Sequence, residues 1–190
     1  MTTRQVFFVI AIAVGLIIFV SMTIYQLLSP TQRALKKAKR GDVAGAEADL
    51  QDLLRKGESA GTRATLGQVY LLAGRPQEAE GELRQAVEMG KRTAGTLNSL
   101  GWALVQLNRV EEALPIAEEA HKKAHEDFEV YCLYCGLMAE NGRAHEVTKL
   151  YEFLKTTAAQ IQKMNAAKFR SELADKYEFA KSRMVAAGLA

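Results

Sequence analysis

The residues best suited to chemistry in this sequence are two cysteines and two histidines at short spacings. Cys132 and Cys135 form a C-x-x-C pair, the spacing of a redox dithiol or of half a zinc site. His121 and His125 are four residues apart, which places two imidazoles on one face of a helix. The sequence supplies neither a second ligand pair at a spacing suitable for zinc nor the glutamate of an H-E-x-x-H motif. Both pairs are therefore expected to be structural, and no metal ion or other cofactor is predicted.

Glycine-rich motifs that bind phosphate are absent from the sequence. It contains no phosphate-binding loop of the G-x-x-x-x-G-K type and no dinucleotide-type glycine pattern. Its carboxylates are spread along the predicted helices, as the solvation of helix surfaces requires. We therefore expect a protein that is not an enzyme and that has no small-molecule substrate.

The charge of the chain is unevenly distributed. Residues 1–40 carry six basic and no acidic side chains, residues 41–152 carry 12 basic and 19 acidic ones, and residues 153–190 carry seven basic and three acidic ones. An acidic body repels phosphates over most of its surface, which argues against nucleic acid as a partner. The basic tail remains suited to a membrane surface or to an acidic protein.

The longest apolar stretch of the chain lies near its amino terminus. Residues 6–28 carry no charge and consist mainly of Val, Ile, Phe, Leu and Ala. As a helix they would extend roughly 34 Å, enough for a hydrocarbon core of about 30 Å. The stretch is longer than the apolar region of most cleaved signal peptides and is not followed by small residues of the A-x-A kind. We therefore predict a single transmembrane helix over residues 6–28, after a short tail of residues 1–5.

The orientation of this span is inferred from the basic residues at its two ends. Five lysines and arginines lie between positions 33 and 40, against Arg4 and the amino terminus on the other side. Positive flanks stay on the cytoplasmic side, so a cytoplasmic placement of the following domain is favoured. Because the same five charges lie on a predicted helix, an extracytoplasmic placement stays open.

A 34-residue period organises the chain after this span. Four kinds of residue recur at that period, namely a small residue, a turn residue, an arginine and a glutamate: Gly67, Gly101 and Cys135; Gly74, Asn108 and Gly142; Arg75, Arg109 and Arg143; Glu78, Glu112 and Glu146. Such a period indicates stacked helix–turn–helix repeats rather than a generic helical bundle. The small residues are expected where helices approach closely, and the turn residues where a helix ends in a left-handed conformation.

This pattern resembles the tetratricopeptide repeat, a 34-residue helix–turn–helix unit. Regular copies cover residues 60–93, 94–127 and 128–161, and a less regular copy at residues 31–59 precedes them. The tryptophan usual at the fourth position and the proline usual near the repeat end are missing from the regular copies. The resemblance implies an all-α fold, in which a solenoid of three to four repeats follows the N-terminal transmembrane helix.

Apolar residues continue beyond the last copy at spacings of three to five. They are Ile161, Met164, Phe169, Leu173, Tyr177, Ala180 and Met184, and they fall broadly on one helical face. Terminal repeats need a helix that covers their last apolar surface. A C-terminal capping helix over residues 162–190 is therefore predicted, and an independent binding helix is the alternative.

The resemblance also implies a concave groove lined by the first helix of each repeat. The groove positions of the family correspond here to Ala64, Gln68 and Leu71, to Asn98, Trp102 and Val105, and to Cys132, Gly136 and Ala139. Asn98 and Gln68 can hydrogen-bond an extended backbone. Trp102 either offers an apolar face to a ligand or packs against a neighbouring helix or the capping segment. Because these positions hold no Lys or Arg, we expect a helix or an apolar peptide segment as ligand rather than a C-terminal carboxylate.

These features together predict a membrane-tethered scaffold or assembly factor that binds a partner protein through its groove. The anchor would hold the groove at the bilayer and raise its effective concentration there. Two alternatives stay open: a structural subunit of a membrane complex held by its transmembrane helix, and an envelope- or secretion-associated protein on the extracytoplasmic side. The predicted partners are a protein and, through residues 6–28, the lipid bilayer, but not nucleic acid.

Overall fold

The computed structural model describes Val14 and residues 29–124, 127–169 and 173–189. The regular structure of these residues is helical, without a strand among them. The helices are α1 (Pro30–Lys39), α2 (Val43–Lys56), α3 (Ala60–Leu72), α4 (Pro76–Glu88), α5 (Ala94–Gln106), α6 (Val110–Lys123), α7 (Phe128–Glu140), α8 (Thr148–Met164) and α9 (Ala174–Ala186), with short turns of helix at Ala144–Val147 and Ala166–Lys168.

Successive helices from α1 to α8 stack as helix–turn–helix pairs. Each helix packs against the one before it and the one after it. The first helices of the pairs, α1, α3, α5 and α7, also contact one another in sequence, whereas the second helices contact one another much less. First helices that lie closer together form the inner, concave side of a curved array. This arrangement confirms the all-α solenoid predicted from the 34-residue period.

The turns inside the regular pairs have the predicted left-handed backbone. Gly74, Asn108 and Gly142 have φ angles of 68°, 59° and 72°. At the first of these turns the N–H of Arg75 donates to the carbonyl of Tyr70 at 2.9 Å, which closes the end of α3 as in a Schellman motif. The second helix of the pair can therefore fold back directly after the turn.

Two of the small residues that recur every 34 positions lie at close helix approaches. A Cβ atom added to Gly67 would lie 2.5 Å from Leu83 Cγ, and one added to Gly101 would lie 2.5 Å from Leu133 Cδ2. Cys135, the third member of the series, is fully buried. A larger side chain at Gly67 or Gly101 would push the packed leucine away, which confirms the packing role inferred from the sequence.

A ladder of arginines and glutamates joins consecutive repeats. The arginine after each turn pairs with the glutamate three residues later and with a glutamate on the second helix of the preceding repeat. The contacts of this Arg ladder are Arg75 with Glu78 and Glu47, Arg109 with Glu112 and Glu80, and Arg143 with Glu146 and Glu118, at 2.6 to 2.8 Å. The ladder therefore links each repeat to the one before it.

Helix α1 begins with a cap of its own at Ser29. The Ser29 side chain accepts from the N–H of Gln32, the Gln32 side chain accepts in return from the Ser29 N–H, and Pro30 takes the first helical position. The array thus has a defined start directly after the apolar stretch. That stretch, residues 6–28, lies outside the described residues except for Val14. None of the helices described is both long and apolar enough to cross a membrane.

The C-terminal segment differs from the single helix expected over residues 162–190. Helix α8 continues to Met164, and α9 begins only at Ala174. Helix α9 packs chiefly along α7, the first helix of the last repeat, and makes few close backbone contacts with α8. It therefore covers the concave side of the last repeat rather than simply extending the stack of helix pairs.

Candidate binding groove

An open groove runs along the concave side of α1, α3 and α5 and ends against α9. Its volume is about 680 Å³. Five of the nine predicted groove residues line it, namely Gln68, Leu71, Asn98, Trp102 and Val105. Ala64 is buried and is not among the lining residues. We call this region the open half of the groove.

The three predicted groove residues of the last repeat lie under α9. Cys132, Gly136 and Ala139 are all buried. A Cβ atom on Gly136 would collide with the ring of Phe179, which α9 places directly over this glycine. We call this surface of α7 the closed half of the groove.

Trp102 lies at the boundary between the two halves. Its ring lines the open half and makes an edge-to-face contact with Phe179, with ring centroids 4.9 Å apart and an interplanar angle of 68°. Both interpretations drawn from the sequence therefore apply to this side chain: it faces the groove, and it packs against a C-terminal helix.

Two polar atoms on α5 are buried without a hydrogen-bond partner among the described residues. They are Asn98 Oδ1, an acceptor, and Trp102 Nε1, a donor. Asn98 is only 6% exposed. Leaving such an atom unpaired costs about 1–3 kcal/mol, so groups that pair with it are favoured ligands. The two residues are four apart on one helix face and match the N–H and C=O groups that a peptide offers.

The rest of the open half combines apolar side chains with a few hydroxyl and amide groups. Leu72, which is 51% exposed, lines the groove beside Leu71. The amide of Gln68 donates to Ser99 Oγ at 3.4 Å across the gap between α3 and α5. This mixture suits a peptide segment with apolar side chains and accessible backbone groups.

Sequence reasoning missed the contribution of α1 and α9 to the groove. Leu35 and Lys39 of α1 line its far end, and Lys176 and Phe179 of α9 line its near end. The position of Leu35 could have been found from the sequence. It lies 33 residues before Gln68, and the same offset separates Ala46 of the irregular repeat from Ala79 of the first regular repeat. No comparable signal existed for α9, which lies outside the repeat register.

The cysteine pair is packed inside the structure. Both thiols are free and buried. Burial raises the pKa of Cys135 to about 12 and raises the pKa of Cys132 still further above its ordinary range. A thiol is reactive only as the thiolate, so neither is a nucleophile at neutral pH while it stays buried.

The histidines and the acidic side chains form no metal cluster in the part of the chain that the structure describes. The His121 ring stacks on Tyr134, with centroids 4.5 Å apart, and meets the edge of Tyr131. His125 lies outside the described residues. His121 therefore packs between α6 and α7.

Comparisons with known proteins place the chain among repeat proteins. A family model described as tetratricopeptide repeat matches residues 31–90 and 64–127, which together span about half of the chain. No curated protein matches it significantly.

Similar solved structures share the fold. MamA has a TM-score of 0.57 and 19% identity over 80% of this chain and 92% of its own. YrrB, described as a TPR protein with an unusual peptide-binding site, has a TM-score of 0.59 and 18% identity over 81% of this chain and 82% of its own. TPR-like repeats from Podosopora anserina have a TM-score of 0.55 and 21% identity over 86% and 91%.

Proposed function

The chain belongs to the tetratricopeptide repeat family, and from this premise we propose that it is a scaffold or assembly factor that binds a partner protein in the open half of its groove. The ligand is a helix or an apolar peptide segment of that partner. The observation that carries the proposal is a pair of polar atoms, Asn98 Oδ1 and Trp102 Nε1, which have no hydrogen-bond partner among the described residues and belong to side chains that line the open groove. The peptide-binding site named for YrrB, which has a similar fold, supports a protein ligand.

We also propose that residues 6–28 tether this groove to a membrane, with the repeats on the cytoplasmic side. The uncharged 23-residue stretch supports the anchor, and the basic residues between positions 33 and 40 support the orientation. The proposed division of the chain is the one given by the repeat register, with a tail, an anchor, one irregular repeat, three regular repeats and a C-terminal segment. A reporter enzyme fused to the C terminus distinguishes the cytoplasmic from the extracytoplasmic placement.

The experiment that tests the proposal is site-specific photo-crosslinking in cells. Gln106 is exposed and lines the open half, whereas Gln77 is an exposed glutamine on α4, away from the groove. A photoreactive amino acid at Gln106 is expected to capture one partner protein that mass spectrometry identifies. The same amino acid at Gln77 serves as the matched control and is expected not to capture it.

The groove variant Asn98→Ala connects the capture to the unpaired atoms. It removes the acceptor that the ligand is proposed to use, so the adduct at Gln106 should fall about tenfold, as for loss of a buried hydrogen bond. Equal capture at Gln106 and Gln77, or capture at Gln106 that is unchanged by Asn98→Ala, contradicts partner binding in the open half of the groove. Capture that instead disappears when residues 6–28 are replaced by an unrelated span identifies a structural membrane subunit.

A further inference from the structure

Helix α9 occupies the closed half of the groove as a bound helix would. We propose that α9 is a built-in ligand of the groove, and that the partner contributes a helix of the same chemistry, which takes the place of α9 on α7. That helix carries an aromatic residue, with a basic residue three positions before it and another four positions after it. This inference rests on the proposed function, because it names the partner chemistry that the same groove recognises.

The aromatic position is defined by a seat for one ring. Gly136 lacks the Cβ atom that would collide with Phe179, and Trp102 closes the side of the seat with an edge-to-face contact at 4.9 Å. Aromatic pairs of this geometry are favoured beyond the area they bury. The seat therefore selects a flat aromatic side chain.

The basic positions are defined by two carboxylates at the ends of α7. Lys176 pairs with Glu129, and Arg183 Nε donates to Glu140 Oε2 at 2.7 Å. The Arg183 guanidinium also lies 3.8 Å from the centroid of the Phe179 ring. Because the two acids sit at the two ends of the seat, they select a helix with positive charge on both sides of its aromatic residue.

The remaining contact of α9 is a short apolar stripe. Ala180 and Met184 are fully buried in one cluster with Cys132, Cys135 and Ala139. The small side chains of Cys132, Cys135 and Ala139 let a helix lie close to α7. Any helix with a small residue after its aromatic one and an apolar residue four positions later can make the same contacts.

The seated state of α9 leaves hydrogen-bonding capacity unused. Within the described part of the chain, Asn98 Oδ1 and Trp102 Nε1 are buried and have no hydrogen-bond partner, and the open half continues directly from Phe179 along α5. The ion pairs of Lys176 and Arg183 are partly exposed, which limits their contribution to holding α9 in place. A partner helix can reproduce these contacts and add others in the open half, so it competes with α9.

The test uses the full chain in detergent micelles and a fluorescent peptide with the sequence of residues 173–189. Phe179→Ala in the chain empties the seat, while the peptide keeps its phenylalanine. Because a seated α9 lowers the fraction of chains able to bind, the peptide should bind the Phe179→Ala chain at least about tenfold more tightly than the wild type. Phe153→Ala, a change at an exposed phenylalanine on α8, is the matched control and should leave the affinity unchanged.

A charge reversal at Glu140 tests the ion pair with Arg183 directly and leaves the buried Gly136 unchanged. Glu140 is exposed, so Glu140→Arg in the Phe179→Ala chain should fold normally and bind the peptide about tenfold more weakly, because it places two like charges together. A peptide carrying Arg183→Glu should restore binding to that chain. Equal affinity of the peptide for the wild-type and Phe179→Ala chains, or indifference to the reversed charge, overturns the proposal. So does a wild-type dimer that Glu140→Arg dissolves, since the occupant would then be a second copy.

The peptide experiment and the crosslinking at Gln106 can fail independently of each other. If the peptide does not compete with α9 but Gln106 still captures a partner, only the inference about partner chemistry fails. If the peptide competes as expected but Gln106 captures no protein, the groove has a seat for a helix and the proposed partner binding fails instead.

Discussion

The two halves of the groove use equivalent positions of consecutive repeats for opposite purposes. In the open half these positions on α5 hold Asn98, Trp102 and Val105, which line the groove. In the closed half the same positions on α7 hold a cysteine, a glycine and an alanine, and a helix of the chain itself lies on them. The two helices therefore differ in side-chain size at these positions: α7, on which the C-terminal helix lies, has the smaller side chains.

Removing a buried side chain of α9 should have the largest effect on the closed half. Met184→Ala leaves a cavity in the closed half and should cost about 2–4 kcal/mol in the docking of α9. Met164, which is 86% exposed, is the matched control, and Met164→Ala should change stability by less than about 0.5 kcal/mol. Hydrogen exchange should accelerate in α9 but not in α3 or α5. Uniform acceleration across all helices would show that α9 is an integral part of the core.

A smaller effect is expected from adding one methyl group to the seat. Gly136→Ala forces the Phe179 ring to move and should destabilise the docking of α9 by about 1–3 kcal/mol, less what alanine gains as a helix former. Gly81 on α4 has open space around its Cβ position, so Gly81→Ala should stabilise the protein by up to about 1 kcal/mol. Denaturant titration of both variants gives the comparison, and the same sign for both would contradict the seat.

The open half should respond differently, because it is not filled by the chain. Asn98→Ala removes an acceptor that has no partner among the described residues, so the free energy of unfolding should change by less than about 1 kcal/mol. Partner capture at Gln106 should nevertheless fall. A loss of stability larger than that of Gly136→Ala would show that Asn98 supports the fold rather than a ligand.

The smallest effect concerns a feature that both halves share, the Arg ladder. Hydrogen bonds from Arg75, Arg109 and Arg143 lower the pKa of Glu78, Glu112 and Glu146 below the ordinary value of 4.5. Folded-state pKa values below the unfolded ones stabilise the protein above about pH 4.5, and this contribution is lost as the pH falls through the folded values. Urea midpoints at pH 7 and pH 4 should therefore differ less in Arg109→Gln than in the wild type. Identical pH dependence in both chains would contradict the ladder.

The sequence predicted the repeats because their determinants are local and periodic. A turn that needs a positive φ selects Gly74, Asn108 and Gly142, and a close helix approach selects Gly67 and Gly101, so each constraint leaves a residue type at a fixed spacing. These signals do not depend on where distant segments lie. The helical array and its concave side followed from them.

The docking of α9 could not be predicted in the same way, because it joins segments that lie outside one repeat register. Apolar periodicity singled out Ala180 and Met184, which are buried, but also Met164, which is exposed. It passed over Phe179, the side chain that fills the seat. Gly136 was identified as a groove position, but nothing in its own neighbourhood indicates that a ring from more than forty residues away would lie on it.

The burial of the cysteine pair has a practical consequence. Cys132 and Cys135 share a cluster with the apolar stripe of α9, and their raised pKa values keep them unreactive there. If α9 leaves the closed half as we propose, solvent reaches this side of α7, and the rate of alkylation by a maleimide becomes the intrinsic thiol rate multiplied by the fraction of time the helix is away. The alkylation rate of the wild-type protein therefore reports the opening of the closed half of the groove. That opening can be timed with an ordinary thiol reagent, before any partner has been identified.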